Sequence, residues 1–365
     1  MIRIDIIAGA RPNFMKIAPI IAAIELEKQK GTAIDFRLIH TGQHYDQKMS
    51  GDFFQQLGIP TPHVNLEVGS GTQAEQTAKI MMGYEALLLD SPSNLCLVVG
   101  DVTSTMACAI AAKKLNIDVA HVEAGIRSGD RSMPEEINRM VTDSITDYFF
   151  TTSEVANTNL KNAGVADSSV FFVGNTMIDT LLKQMPNFKQ PDFWEEAKLS
   201  PQNYFVLTLH RPSNVDADTQ LQQLLSEIMQ HTQGHKVVFP VHPRTAKMLA
   251  QLNMNFENLF LTEPMSYLAF NYLVKHAKAV ITDSGGITEE TTVMQIPCIT
   301  LRSSTERPET CSIGTNELIG TDPAAIKPTL EKLFAGNWKK GGIPPLWDGH
   351  TAERIVAAIK TIYAI

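Results

Sequence analysis

Cysteine is scarce in this chain: four in 365 residues, at Cys96, Cys108, Cys298 and Cys311, with no CxxC pair and no metal-ligand spacing. That argues against a disulfide scaffold or a structural zinc site, and cysteines scattered among apolar neighbours read as reduced core residues of a cytoplasmic protein. Positive charge is in short supply too, with 31 Lys and Arg against 39 Asp and Glu and a net charge of -8. Such a balance gives no bulk attraction for nucleic acid or an anionic membrane, so an anionic ligand needs local positive charge instead. No apolar run approaches the roughly 20 residues of a membrane helix. The nearest, "IAPIIAAI", suits a core helix, and "MIRIDIIAGARP" is too short an apolar run for a signal peptide. Short-period repeats and low-complexity tracts are missing as well. The expectation is a soluble chain with no nucleic-acid and no membrane partner.

What is present is ordinary globular material, 44% hydrophobic and 19% charged, at a length that suggests about two domains. Short β-branched runs alternate with helical segments from end to end. Strands are expected at "IRIDIIA" (2–8), "DFRLIH" (35–40), "LCLVVG" (95–100), "VAHVE" (119–123), "YFFTT" (148–152) and "VFFVG" (170–174). A second series follows at "YFVLTLH" (204–210), "KVVFPVH" (236–242), "LFLT" (259–262), "AVITD" (279–283) and "PCITL" (297–301). Near-continuous apolar runs with helices between them predict parallel sheets covered on both faces, hence an α/β fold of two doubly wound domains. The segment 183–203, with three prolines and no clear strand, reads as their connection.

Arg11, Thr41, Asp101, Glu123, His210, His242 and Asp283 all stand at or just beyond the carboxyl end of an expected strand. Open parallel sheets bind ligands at that edge. Two sheets facing each other by those edges would pool these groups in one cleft, which favours an enzyme over a scaffold.

Two strand-to-helix turns suit phosphate. In "AVITDSGGITEE", Gly285 and Gly286 let backbone approach closely, free N–H groups at the helix start attract anions, and Ser284 adds a hydroxyl. Glu290, about two turns on, is placed to accept both hydroxyls of a ribose; an ordinary tight turn capped by Asp283 and Thr288 is the competing reading. In "IIAGARPNFMK", Arg11 and Lys16 flank a second such turn and suit a diphosphate. By contrast "EVGSGTQA" only imitates a dinucleotide fingerprint, because Asp90 ends a helix and Thr72 with Glu75 makes a capping box.

Acid/base candidates cluster elsewhere. Asp101 lies beyond one strand and Glu123 beyond another on the same edge, so two carboxylates are able to share a site. Glu135 follows Pro134 and brings a third, whereas Glu136 reads as a helix-start cap or salt-bridge partner. His210, at a strand end beside Arg211, is a candidate acid or charge stabiliser, and His242 has a weaker claim. Arg302 and Arg307 add cations on a polar loop facing the same edge. No His/Asp/Glu group has metal spacing, so no metal is required.

Taken together, "GARP", "VVGD", "HVEAGIRSGDRSMPEEINR", "FFVGNTMIDTL", "HRPSNV", "PVHPRT", "TDSGGITEE" and "TERPE" resemble the bacterial and archaeal UDP-N-acetylglucosamine 2-epimerases of the non-hydrolysing type, in order and approximate spacing. The resemblance covers nearly the whole chain. It implies a GT-B fold, with Rossmann-like domains at 1–175 and 176–350 and a terminal helix, 351–365, packing back on the first. It implies reversible epimerisation of UDP-GlcNAc to UDP-ManNAc without a cofactor, by loss of UDP to a bound 2-acetamidoglucal, in a homodimer serving polysaccharide biosynthesis. Carried over by motif, the catalytic set is Asp101, Glu123, Glu135 and His210. Arg11, Lys16 and Arg307 would meet the diphosphate, with Ser284, Gly285 and Gly286 as donors. Glu290 would take the ribose, and Met265 and Phe270 would lie by the uracil. Three alternatives stay open: a hydrolysing epimerase releasing ManNAc and UDP, an epimerase of a modified UDP-HexNAc, and a GT-B glycosyltransferase. "TGQHYDQKM" (41–49) stands where some bacterial members carry a Gln-His-Arg pattern linked to an activating second substrate molecule.

Overall fold

Strands in this chain are built from runs such as "IRIDIIA" and "LCLVV", apolar on both faces, and each run is buried along almost its whole length. Only a sheet covered on both sides accommodates such a pattern. The structure, a computed structural model, describes residues 1–42, 56–211, 214, 218–241, 249 and 256–365, with the side chains of Arg11 and Asp218 outside that description. The chain divides into two units, Met1–Thr180 with Pro345–Ile365, and Leu181–Pro344.

The first unit holds strands β1 (Ile2–Ala8), β2 (Ile34–His40), β3 (Val64–Asn65), β4 (Leu95–Val99), β5 (Asp118–Val122), β6 (Tyr148–Thr151) and β7 (Val170–Phe172). They pair in parallel in the order β3-β2-β1-β4-β5-β6-β7. Strand order therefore reverses between β1 and β4, the point at which an open sheet leaves a crevice beyond its carboxyl edge. A buried ion pair marks the register next to that point. Asp5 and Arg37 are cross-strand partners, joined by two hydrogen bonds of 2.7 and 2.8 Å, and the Tyr84 hydroxyl donates to the same carboxylate at 3.0 Å.

The second unit repeats the plan with β8 (Tyr204–Thr208), β9 (Lys236–Pro240), β10 (Leu259–Thr262), β11 (Ala279–Thr282), β12 (Cys298–Thr300) and β13 (Asn316–Leu318). The order is β10-β9-β8-β11-β12-β13, all parallel, with the reversal between β8 and β11.

The segment 183–203 is more than a connection. Trp194, Ala197 and Leu199 are buried against Tyr204, Val206 and Leu273 in the second unit's core. The last helix, Thr351–Tyr363, belongs to the first unit. Asp179 accepts from the backbone N–H groups of Thr351 and Ala352 at its start, Trp347 donates to the Thr152 carbonyl just before it, and Tyr363 donates to Asp118 at its end.

Of the cysteines, Cys96, Cys108 and Cys298 are buried and all four are free. Burial pushes the three buried thiols up, that of Cys298 to about 12, so those three are inert core groups. The stretch 69–76 is a helix start: Thr72 and Glu75 exchange reciprocal hydrogen bonds of 2.8 and 3.2 Å, and Asp90 is the last residue of that helix.

Candidate active site

In both units several candidate residues follow strand ends near the point where strand order reverses. In the first, the turn after β1 leads into the helix Arg11–Gln29. Asn13 pins it: Oδ1 accepts from the N–H groups of Gly9 and Ala10, while Nδ2 donates to the Val99 carbonyl at the end of β4. One turn along the helix, Lys16 reaches across the switch point and donates to Glu123 Oε2 at 2.6 Å. The pair is nearly dry, with side chains 12% and 3% exposed.

Glu123, one residue past β5, has φ +69, a left-handed backbone that a residue with a side chain adopts only under local constraint. Its N–H donates to the Phe150 carbonyl. Gly125, two residues on, has φ +76, and a Cβ there would lie 2.4 Å from the Ala156 carbonyl oxygen. The turn thus returns tightly enough to keep Glu123 at the sheet edge.

Gly100 gives the ion pair its room. A Cβ on it would stand 3.1 Å from Lys16 Nζ and 3.6 Å from Glu123 Oε2. Asp101 follows immediately in the chain, at the same carboxyl edge of the sheet. Asp101 has its own cation, accepting from Arg139 at 2.6 and 3.1 Å. Arg139 in turn donates to Glu136 at 2.6 Å, and Glu136 accepts from the N–H groups of Ser128 and Gly129. Burial would raise the Glu136 carboxyl, but those N–H donors and Arg139 hold it below the usual range. Glu136, in the first turn of helix Pro134–Ile145, is therefore a buried strut beneath the "IRSGDRS" loop, as a salt-bridge partner should be. Glu135, next to it at the start of helix Pro134–Ile145, is exposed and makes no side-chain contact with a polar group among the described residues.

Beneath this edge lies a chain of polar groups that the sequence did not announce. His121 is fully buried, with Nδ1 at 2.7 Å from Asp143 and Nε2 at 2.8 Å from the Gly100 carbonyl. Arg127 completes the Asp143 carboxylate at 2.6 Å. Burial acts to raise Asp143, and His121 and Arg127 outweigh it.

In the second unit, Asp283 at the end of β11 is fully buried and organises the neighbouring strand end. It accepts from the N–H groups of His210 and Arg211, from Asn214 Nδ2, and lies 2.7 Å from His210 Nδ1. Burial acts to raise its carboxyl, and these donors hold it lower, His210 foremost. A carboxylate at Nδ1 turns that nitrogen into the donor and leaves Nε2 outward on a ring that is 63% exposed. Asp283 thus orients His210, a role its strand-end position alone did not reveal.

Ser284 precedes the helix Gly285–Met294, which has no side-chain cap and no acid in its first turn. Glu290 is buried within it, accepting from the Tyr267 hydroxyl at 2.8 Å and from Asn271 at 3.4 Å. Burial pushes its carboxyl up to about 7, against the two hydrogen bonds. Arg307 pairs with Glu289 at 2.7 Å. Met265 and Phe270 are half-buried on the second unit's core, flanking the Ser266 cap of helix Tyr267–His276. His242 and residues 43–49 of the "TGQHYDQKM" stretch lie outside the described residues, as does the side chain of Arg11.

A family model described as UDP-N-acetylglucosamine 2-epimerase matches residues 25–360. The chain belongs to the UDP-N-acetylglucosamine 2-epimerase family. It is an epimerase, an enzyme of the isomerase class, with a fold of the GT-B type. The UDP-N-acetylglucosamine 2-epimerase of Methanocaldococcus jannaschii is 40% identical over 367 residues, 97% of this chain and 98% of that one. A crystal structure of the M. jannaschii enzyme in complex with UDP-GlcNAc and UDP superposes with a TM-score of 0.87 at 39% identity, covering 98% of this chain and 99% of that one. The UDP-2,3-diacetamido-2,3-dideoxy-D-glucuronate 2-epimerase of Pseudomonas aeruginosa is 38% identical over 318 residues, 86% of this chain and 87% of that one.

Proposed function

We propose that this epimerase interconverts UDP-GlcNAc and UDP-ManNAc without a nicotinamide cofactor and without hydrolysis. A base takes the C2 proton, the C1=C2 bond forms, and the C1–O bond breaks with its electron pair going to UDP. The product held between half-reactions is a 2-acetamidoglucal. UDP oxygen then adds back to C1 while C2 is protonated on the opposite face. Atoms and electrons balance with no outside oxidant.

The C2 hydrogen is only weakly acidic, so its removal needs stabilisation of the charge that develops on the departing diphosphate. Inversion needs proton-transfer groups on both faces of the sugar. Asp101, Glu123 and Glu135 are the groups assigned to proton transfer, and His210, oriented by Asp283 within the second unit, completes the assigned set. Arg11, Lys16 and Arg307 balance the diphosphate and the helix start at Ser284, Gly285 and Gly286 donates to it. Glu290 receives the ribose, and Met265 and Phe270 border the uracil. A homodimer in the cytoplasm completes the reading, and light scattering at twice the chain mass checks the dimer.

One observation carries the proposal: Lys16 and Glu123 paired at 2.6 Å beside Gly100–Asp101, at the switch point, in a chain of this family. Incubation with UDP-GlcNAc alone, followed by anion-exchange chromatography, tests it. UDP-ManNAc is the expected product. Free ManNAc with UDP would replace the reading by the hydrolysing one, and an unchanged substrate would overturn both.

A second reading follows from the P. aeruginosa relative, whose identity of 38% is close to the 38–40% of the archaeal enzymes, though over 86% of this chain against their 97–98%. The same elimination would then act on a UDP-sugar with an acetamido group at C3 and a carboxylate at C6. The ratio of kcat/KM for the two substrates in one assay decides between them.

A further inference from the structure

Arg302 lies just past β12 in the second unit, and its guanidinium is 4% exposed. Nη2 donates to Glu306 Oε2 at 2.6 Å. Nη1 is shut off from solvent and has no hydrogen-bond partner among the described residues. Burial acts to raise the Glu306 carboxyl, but the hydrogen bond and charge of Arg302 hold it at about 2. The pair is therefore ionised, and one arm of the cation is left over.

That arm points at the start of a helix. Nη1 stands 3.6 Å from where a Cβ on Gly285 would be, and Glu306 Oε1 stands 2.8 Å from it. The ten-residue helix Gly285–Met294 begins there with Ser284 making no side-chain cap and with no acid in its first turn. A Cβ on Gly286 would meet nothing within 4 Å, so there is space beside the second residue. Helix-start N–H groups and a buried guanidinium N–H are both donors in need of an acceptor, and a desolvated charged donor left unmade is costly. An anion with several acceptor oxygens answers both at once.

We propose that Arg302 is a further ligand of the substrate's diphosphate, donating from Nη1 to a phosphoryl oxygen seated on the Ser284–Gly285–Gly286 helix start. Glu306 is a positioning residue that holds the guanidinium by its other arm. A side chain at Gly285 would displace that carboxylate from its place. The inference rests on the UDP reading above and extends it to a residue whose side chain is otherwise paired, among the described residues, with Glu306.

Calorimetric titration of the full chain with UDP, uridine and inorganic pyrophosphate tests it. Arg302→Gln should weaken UDP by about tenfold or more, the range of one charge-assisted hydrogen bond, while uridine changes by less than about twofold. Arg302→Lys, which keeps a charge but not the fork, should fall between. The double variant Arg302→Gln/Glu306→Gln removes the pair without stranding a buried carboxylate, and should lose UDP as the single variant does. Recovery of UDP affinity in the double variant, or equal losses for uridine and UDP, would make Arg302 merely structural and overturn the proposal. Should the wild-type chain bind no UDP, the nucleotide reading fails by itself. Pyrophosphate then decides the anion site: binding that Arg302→Gln abolishes supports it, and no binding removes it.

Discussion

Substituting Lys16 by glutamine removes the cation that faces Glu123 across the β1/β4 switch point. At 2.6 Å, and with an effective dielectric of about 20, the direct attraction is about 6 kcal/mol. Desolvation of two nearly buried charges offsets most of it, and removing one partner of a buried pair typically costs about 3–5 kcal/mol. Lys16 keeps some contact with solvent, at 12% exposed against 3% for Glu123. The lower half of that range therefore applies, about 3–4 kcal/mol, or roughly 6–16 °C in the melting of a unit of this size. Glu123→Gln should cost less, about 1–2 kcal/mol, because the lysine it leaves behind is able to reach water. The double variant should then recover about 1.5–3 kcal/mol relative to the sum of the singles. Urea unfolding of the four proteins, followed by circular dichroism, measures the cycle. A Lys16→Gln protein as stable as wild type, or strictly additive losses, would show that the pair does not hold this edge together.

Asp101→Asn should abolish exchange of the C2 hydrogen while leaving UDP binding measurable by calorimetry; full exchange would remove Asp101 from the catalytic set. Glu290, with its carboxyl raised from an ordinary value of 4.5 to about 7, binds a proton in the folded state that the unfolded chain has lost across that interval. Its contribution is fully present below about pH 4.5 and declines as pH rises through about 7, by about 3 kcal/mol in all. Glu290→Gln should flatten that part of the stability profile, and an unchanged profile would contradict the assignment. Gly286→Ala should fold normally, since no atom lies within 4 Å of the new methyl, and gain up to about 1 kcal/mol of helix stability. It should nevertheless lose UDP affinity, because the methyl enters the space assigned to phosphate; unchanged affinity counts against that placement. Gly125→Ala combines φ +76 with a 2.4 Å contact to the Ala156 carbonyl and should destabilise the first unit by more than about 2 kcal/mol in thermal denaturation.

Much of the architecture was readable because a doubly covered parallel sheet demands unbroken apolar runs, and "IRIDIIA" or "AVIT" have few other uses. Two edge strands escaped for the same reason. Val64–Asn65 is only two residues long, and "NEL" at 316–318 is mostly polar. The stretch 183–203 carries no strand, as its prolines suggested, but the core packing of Phe193, Trp194 and Leu199 within it was not legible. At the site, residue types at strand ends were legible, since the carboxyl edge follows directly from strand positions. Their partners were not. Arg139 reaches Asp101 from a helix, Tyr267 and Asn271 reach Glu290 from another, and Asp283 meets His210 because Thr282 and Thr208 are in register. Such pairings depend on helix rotation and strand order, which a linear pattern does not encode.

The central claim, that C2 is inverted through loss and return of its proton, is tested most directly in deuterated water. NMR of the sugar pool during turnover of UDP-GlcNAc should show deuterium entering C2 of the UDP-ManNAc formed. The same spectra for Asp101→Asn and Glu123→Gln should show none. UDP-ManNAc that forms with its C2 hydrogen fully retained would contradict the account.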